Sequence, residues 1–119
     1  MSICSNGLLH FNPKVQKFLK ENEKHLSYTI SIDGTKEVHD KCRVDKNGNP
    51  TFNKCISALK DFNNNFYGMV GNKITLSPDN LDYLTESIKT FVDLGYYDIH
   101  MNYVYEDVWS KDDATKLYF

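Results

Sequence analysis

The chain has 119 residues, 40% of them hydrophobic, and a formal net charge of −2, which suits one domain with a modest core and gives no sequence-wide electrostatic case for a nucleic-acid partner. No apolar run approaches the roughly 20 residues that a membrane helix needs, and the beginning has no basic region followed by an apolar core, so the expectation is a cytoplasmic protein with no membrane partner. Cys4, Cys42 and Cys55 are odd in number and widely spaced, which does not suggest a disulfide framework and supplies none of the close cysteine pairs typical of zinc and iron–sulfur sites.

In chain order, Met1 to Cys4 read as the end of a strand, and Ser5-Asn6-Gly7 as the loop that leaves it. Asn12 is a good N-cap and Pro13 suits the first helical position, so a helix follows with Val15, Phe18 and Leu19 as its apolar stripe. Leu26, Tyr28, Ile30 and Ile32 then alternate with Ser27, Thr29 and Ser31, a period of two carried by β-favouring residues. Asp33-Gly34 ends this strand, because Gly tolerates backbone angles that other residues avoid and Asp can hydrogen-bond its own turn. Thr35 to Cys42 is a short polar segment of one or two helical turns. His39 and Cys42 could share a face there, but two ligands without a third make a weak metal site. Arg43 is the single arginine, the one planar, bidentate donor for a carboxylate or phosphate; a structural ion pair is the other reading.

Asp45 to Pro50 form a turn cluster. A helix is predicted from about Thr51 to about Phe62, because Phe52, Cys55, Ile56 and Leu59 recur at helical spacing. Cys55 is then a small core residue, and Asn63-Asn64-Asn65 end the helix. Beyond a loop containing Gly68 and Gly71, Lys73 to Leu76 read as a short strand, and Ser77-Pro78-Asp79-Asn80 start a third helix. Leu81, Leu84, Ile88, Phe91 and Val92 form its buried face, with Gly95 at the stop position. Ile99, Met101 and Tyr103 alternate with His100, Asn102 and Val104 as a last strand, and Ser110 caps a helix that runs toward Phe119.

Strands alternating with helices call for parallel pairing with right-handed crossovers, so the fold class is α/β: about four parallel strands with intervening helices, a partial (β/α) barrel. Such a sheet leaves both edges unpaired, which predicts the middle of something larger. Polar groups where parallel strands end are where these proteins hold ligands, and the strand exits place Asn6, Asp33, Arg43 and Asn102 on one rim. A hydrolase using His100, Glu106 or Asp107 finds no Ser–His–Asp or paired-carboxylate arrangement to support it. A non-catalytic α/β module that binds a peptide or nucleotide-like ligand is the alternative reading.

Ser5-Asn6-Gly7 before a helix, Ser31-Ile32-Asp33-Gly34 with Lys36-Glu37-Val38-His39-Asp40 and Arg43 behind it, Asn80 opening a helix after a short strand, and Ile99 to Trp109 with Glu106-Asp107-Val108-Trp109 together resemble radical S-adenosylmethionine enzymes. The similarity is to the peptide- and protein-modifying branch with a C-terminal SPASM domain, including anaerobic sulfatase maturases and peptide maturases. It implies that residues 1–119 are one internal portion of a partial (β/α)6 barrel, lacking the cluster-binding N-terminal part and the SPASM domain. It implies that Ser31 contacts the ribose of S-adenosylmethionine and that Ser5, Asn6 and Asp33 lie on the cofactor side. Arg43 either binds the cofactor carboxylate or pairs with Asp33. Asn102 and Glu106 fall on the substrate side. The implied cofactors are S-adenosylmethionine and a [4Fe–4S] cluster, and the implied partners are a peptide or protein substrate and the remainder of the barrel. The Cys-x3-Cys-x2-Cys loop that holds the cluster is absent from these residues, so this chain by itself is expected neither to bind the cluster nor to act as a radical enzyme.

Overall fold

A computed structural model describes residues 1–106 and 108–118, with the side chain of Tyr118 outside the description. Four strands, β1 (Ser2–Ser5), β2 (Ser27–Ser31), β3 (Met69–Leu76) and β4 (Ile99–Tyr103), form one sheet in the order β1-β2-β3-β4. Every pair is parallel. The helices are α1 (Pro13–Asn22), α2 (Lys36–Cys42), α3 (Phe52–Asn65), α4 (Leu84–Asp93) and α5 (Lys111–Tyr118). Spatial order follows chain order with no reversal, which is the winding of a barrel wall and not of a doubly wound sheet. Among the described residues no helix is long and apolar enough to cross a membrane.

The two faces of the sheet differ in chemistry. Tyr28, Ile30, Ile74 and Leu76 point to one face and join Leu19 of α1, Cys55, Ile56, Ala58, Leu59 and Phe62 of α3 and Phe91 of α4 in a single apolar cluster. The opposite face carries Cys4, Thr29, Ser31, Gly71, Lys73, Thr75, His100 and Asn102, because side chains alternate along each strand and the register keeps the phase across all four. Helices therefore cover one face and leave a polar one open.

Helix boundaries follow their capping chemistry. The Asn12 side chain accepts from Lys14 N and Pro13 opens α1, as the sequence predicts. Thr35 caps α2 through Val38 N. Ser110 and Asp113 cap α5 reciprocally: Ser110 Oγ accepts from Asp113 N at 3.1 Å, and Asp113 Oδ2 accepts from Ser110 N at 2.8 Å. Gly95, at φ 87°, follows the C-terminal end of α4.

Four local expectations are corrected. The asparagine triplet does not stop α3, which runs to Asn65. Asn65 Nδ2 donates to Asp61 Oδ1 one turn back at 2.8 Å, and Phe66 stacks on Phe62 with ring centroids 4.8 Å apart. Gly71 lies inside β3, not in a loop, since the strand begins at Met69. The segment after Asn80 enters α4 through a 3-10 turn at Leu81–Tyr83. Phe18 and Val92 are exposed, at 43% and 40%, because Leu19 and Phe91 take the inward positions beside them.

The N-terminus of α3 is capped from another helix. Thr51 makes no side-chain cap; instead Asp40 Oδ1, on α2, accepts from Thr51 N at 3.1 Å and Phe52 N at 2.9 Å. Burial opposes the Asp40 charge, but the Lys36 ammonium and the two backbone N–H groups outweigh it and hold its pKa below 3.8. Asp40→Ala is expected to cost about 1–2 kcal/mol in urea denaturation at neutral pH. The depressed carboxyl stabilises the fold fully above its unfolded pKa, and this contribution is lost as pH falls through the lower folded value. The difference between wild type and variant should therefore shrink below about pH 4; a constant difference down to pH 2 would count against the cap.

Candidate functional site

The end of β2 is held by a buried polar network. Asp33, 5% exposed, accepts from Arg43 Nε at 2.6 Å and Nη2 at 3.4 Å, and from Thr75 N at 3.0 Å. One carboxylate thus fixes the only arginine and splices the β2 exit to β3. The alternatives left open for Arg43 resolve in part: it pairs with Asp33, while three of its five N–H donors have no protein acceptor among the described residues. Its side chain is about one-third exposed.

His39 sits beneath this pair, fully buried. Asp33 N donates to its Nδ1 at 3.1 Å, so the proton is on Nε2, which donates to Thr51 Oγ1 at 2.9 Å; Thr51 in turn donates to the Arg43 carbonyl at 2.9 Å. Burial lowers the His39 pKa and keeps the ring neutral. The imidazole is a spacer joining β2, α2 and α3. Its ring nitrogens are both engaged, and Cys42 lies apart from it on the exposed side of α2.

The loop after β1 completes the rim. The Asn6 side chain accepts from Leu8 N at 3.0 Å, and its carbonyl accepts from Cys55 Sγ at 3.2 Å. Ser5 Oγ accepts from Gly7 N at 3.0 Å, and Ser5 is opposite Ile30 in the register, on the helix-covered face. Asn6, Cys42, Arg43 and Thr51 share the lining of a cavity of about 300 Å³. Asn80 closes the loop after β3, accepting from Ser77 N at 2.8 Å and donating to the Thr75 carbonyl at 2.9 Å.

On the open face, Ser31, Lys73 and His100 stand side by side across β2, β3 and β4, with Thr75 and Asn102 paired in the next row. Ser31 is 9% exposed, its Oγ 3.6 Å from Cys4 Sγ. Asp98 Oδ1 lies 3.0 Å from His100 Nε2. A Cβ at Gly71 would come within 2.7 Å of Asp98 Oδ2 and 3.0 Å of its carbonyl oxygen, so glycine is what lets this carboxylate fold over β3. Glu106 is exposed beyond β4 and shares no hydrogen bond with the other candidates among the described residues; Asp107 lies outside the described residues.

Sequence reasoning groups Asn6, Asp33, Arg43 and Asn102 at one rim; in the structure Asp33 pairs with Arg43, Asn6 and Arg43 line one cavity, and Asn102 lies inside β4 on the open face beside Thr75. Sequence reasoning missed Lys73 and Thr75 as site residues, because only the register sets them beside Ser31, His100 and Asn102, and it missed Asp98, which meets β3 across the chain at Gly71. It also missed the His10–Asp61 contact of 2.6 Å on the covered side, which joins residues 51 apart and leaves no local pattern.

No protein-family model matches the chain. Over 62 residues, 52% of this chain, it is 45% identical to a cysteine-type anaerobic sulfatase-maturating enzyme of Clostridium novyi (strain NT), of which the match covers 16%. Native anSMEcpe with bound AdoMet and Kp18Cys peptide superimposes with a TM-score of 0.79 at 25% identity, over 97% of this chain and 33% of that one. The chain is similar in sequence and in fold to one part of an anaerobic sulfatase-maturating enzyme. Native anSMEcpe with bound AdoMet gives the same TM-score, again over 97% of this chain, at 23% identity. The sulfatase-maturase-like segment thus spans about a third of the length of the solved structures it matches.

The donor set does not suit an iron–sulfur cluster. Cys4, Cys42 and Cys55 are separate free thiols, and among the described residues no group of three or more His, Cys, Asp or Glu side chains could hold a metal ion. The open face does suit a polar nucleoside such as S-adenosylmethionine: it offers the Ser31, Thr29 and Thr75 hydroxyls, the Asn102 amide, and the cations Lys73 and Arg43 at and below the rim.

Proposed function

We propose that this chain is an internal wall of a radical S-adenosylmethionine barrel that modifies a peptide or protein, inactive without the remainder of that barrel. The reading is carried by one observation: an all-parallel, singly wound sheet whose helix-free face is polar from Cys4 to Asn102. In such barrels S-adenosylmethionine supplies the radical that abstracts hydrogen, chemistry that belongs to the cofactor and not to side chains. The side chains here bind and orient. Ser31 offers its hydroxyl to the ribose, and Arg43, braced by Asp33, offers its remaining donors to a carboxylate. Asn6 stands in the loop on the cofactor side, and Ser5, expected there too, instead braces that loop from the helix-covered face through Gly7 N; Asn102 and Glu106 serve the substrate side, and the peptide lies across the loops after β3 and β4. Residues 1–119 constitute one domain, with the cluster-binding part and a SPASM domain supplied by the rest of the enzyme. Three free thiols suit a reducing compartment, the cytoplasm.

The test uses the chain as it stands. In two-dimensional NMR, S-adenosylhomocysteine is expected to shift the amides of Ser31, Lys73 and Thr75 and to leave those of α1 and α3 in place. After anaerobic incubation with iron and sulfide, the chain should retain far less than one cluster per molecule. Shifts confined to the helix-covered side, or a stoichiometric cluster, would overturn this reading. Equal response to unrelated nucleosides would favour the non-catalytic binding module.

A further inference from the structure

We infer that Lys73 is a carboxylate-recognition residue at the centre of the open face, and the inference rests on the barrel-wall reading above. Lys73 is the middle residue of the row Ser31–Lys73–His100, flanked by a strand on each side. Its neighbours hold the ammonium in place without neutralising it. The Asn102 amide satisfies both of its ends in one orientation: its nitrogen donates to the Met101 carbonyl at 3.0 Å and its oxygen accepts from Lys73 Nζ at 3.0 Å. That neutral acceptor occupies one of the three ammonium donors and aims the group.

The nearby carboxylates are committed elsewhere. Asp98, just ahead of β4 and over Gly71, faces His100 at 3.0 Å. Asp33, two residues beyond Ser31, is taken by Arg43 and Thr75 N. Among the described residues Lys73 makes no ion pair. A half-buried ammonium with two donors to spare, on a face lined by hydroxyls and amides, suits an acceptor that carries negative charge. The two donors left on the ammonium can each meet one oxygen, so a carboxylate with its two oxygens fits better than a halide-like point charge.

The carboxylate could belong to the amino-acid part of the cofactor or to an acidic peptide, and the experiment separates these sources. Calorimetric titrations of the full chain would use S-adenosylhomocysteine, methylthioadenosine (the same nucleoside without the amino-acid part), and a short acidic peptide beside its fully amidated counterpart. In one of the two pairs the wild type is expected to prefer the carboxylate-bearing member by about ten- to a hundredfold, the worth of a hydrogen bond to a charged group. Lys73→Gln should abolish that preference while leaving affinity for the uncharged member unchanged, and Lys73→Arg should restore part of it. Circular dichroism melting of the variants, with an unchanged midpoint, establishes that folding is intact; if Lys73→Gln does not fold, the comparison is made with Lys73→Met and Lys73→Arg. No preference in either pair, or a preference that survives Lys73→Gln, overturns the inference. Nucleoside binding with no carboxylate preference in either pair overturns the role of Lys73 alone, whereas carboxylate preference in the peptides with no nucleoside binding overturns the cofactor reading and keeps Lys73.

Discussion

Phe62→Ala should nearly unfold the protein. Phe62 is fully buried on α3, with its ring centroid 4.8 Å from that of Tyr28 on β2 and 4.8 Å from that of Phe66, so it is the side chain through which α3 grips the sheet. Truncating a buried phenylalanine costs about 3–5 kcal/mol in lost transfer energy and residual cavity. That is most of the stability of a domain at the low end of about 5–15 kcal/mol. The urea midpoint, followed by circular dichroism, should fall by about 2 M or the cooperative transition should vanish. A shift under about 0.5 M would mean that the core closes around the gap, and that α3 is held by something other than this aromatic contact.

Asp33→Ala is expected to cost about 3 kcal/mol and to disorder the rim. The low end of the range for a broken buried pair applies because the Arg43 guanidinium keeps contact with water. Three groups lose their partner together: Arg43 Nε, Arg43 Nη2 and Thr75 N. Hydrogen exchange should speed up at Thr75 more than at Ile74, and S-adenosylhomocysteine shifts at Ser31 should weaken in parallel. A double-mutant cycle with Arg43→Ala should show strong coupling; additive losses would demote the pair to a surface contact.

The fold was legible where local chemistry decides it. Alternation in Leu26 to Ile32, the Asn12–Pro13 cap and the Asp33–Gly34 stop each act within a few residues, and each stands in the structure as the sequence implies. Legibility failed where a distant partner sets the outcome. Gly71 looks like a loop residue until Asp98 is seen to fill the space above it, and only the register shows that Lys73 stands between Ser31 and His100. Asp40 looks like a solvated helix acid, since nothing in its own segment shows that it caps another helix. At the site, the residues on strand exits could be named from position, whereas those inside strands needed the register.

The sheet ends on both sides in backbone groups that no described neighbour satisfies, on β1 and on β4. Because all strands run one way, the two margins are complementary and not alike: the β1 margin of one molecule can add to the β4 margin of another, and each addition regenerates the same ends. Such growth stops only where the curvature of the wall brings the last margin round to the first. A concentrated solution of isolated chains would thus be prone to polymerise, so the physical environment that suits this molecule is one in which neighbouring polypeptide is already seated against both margins.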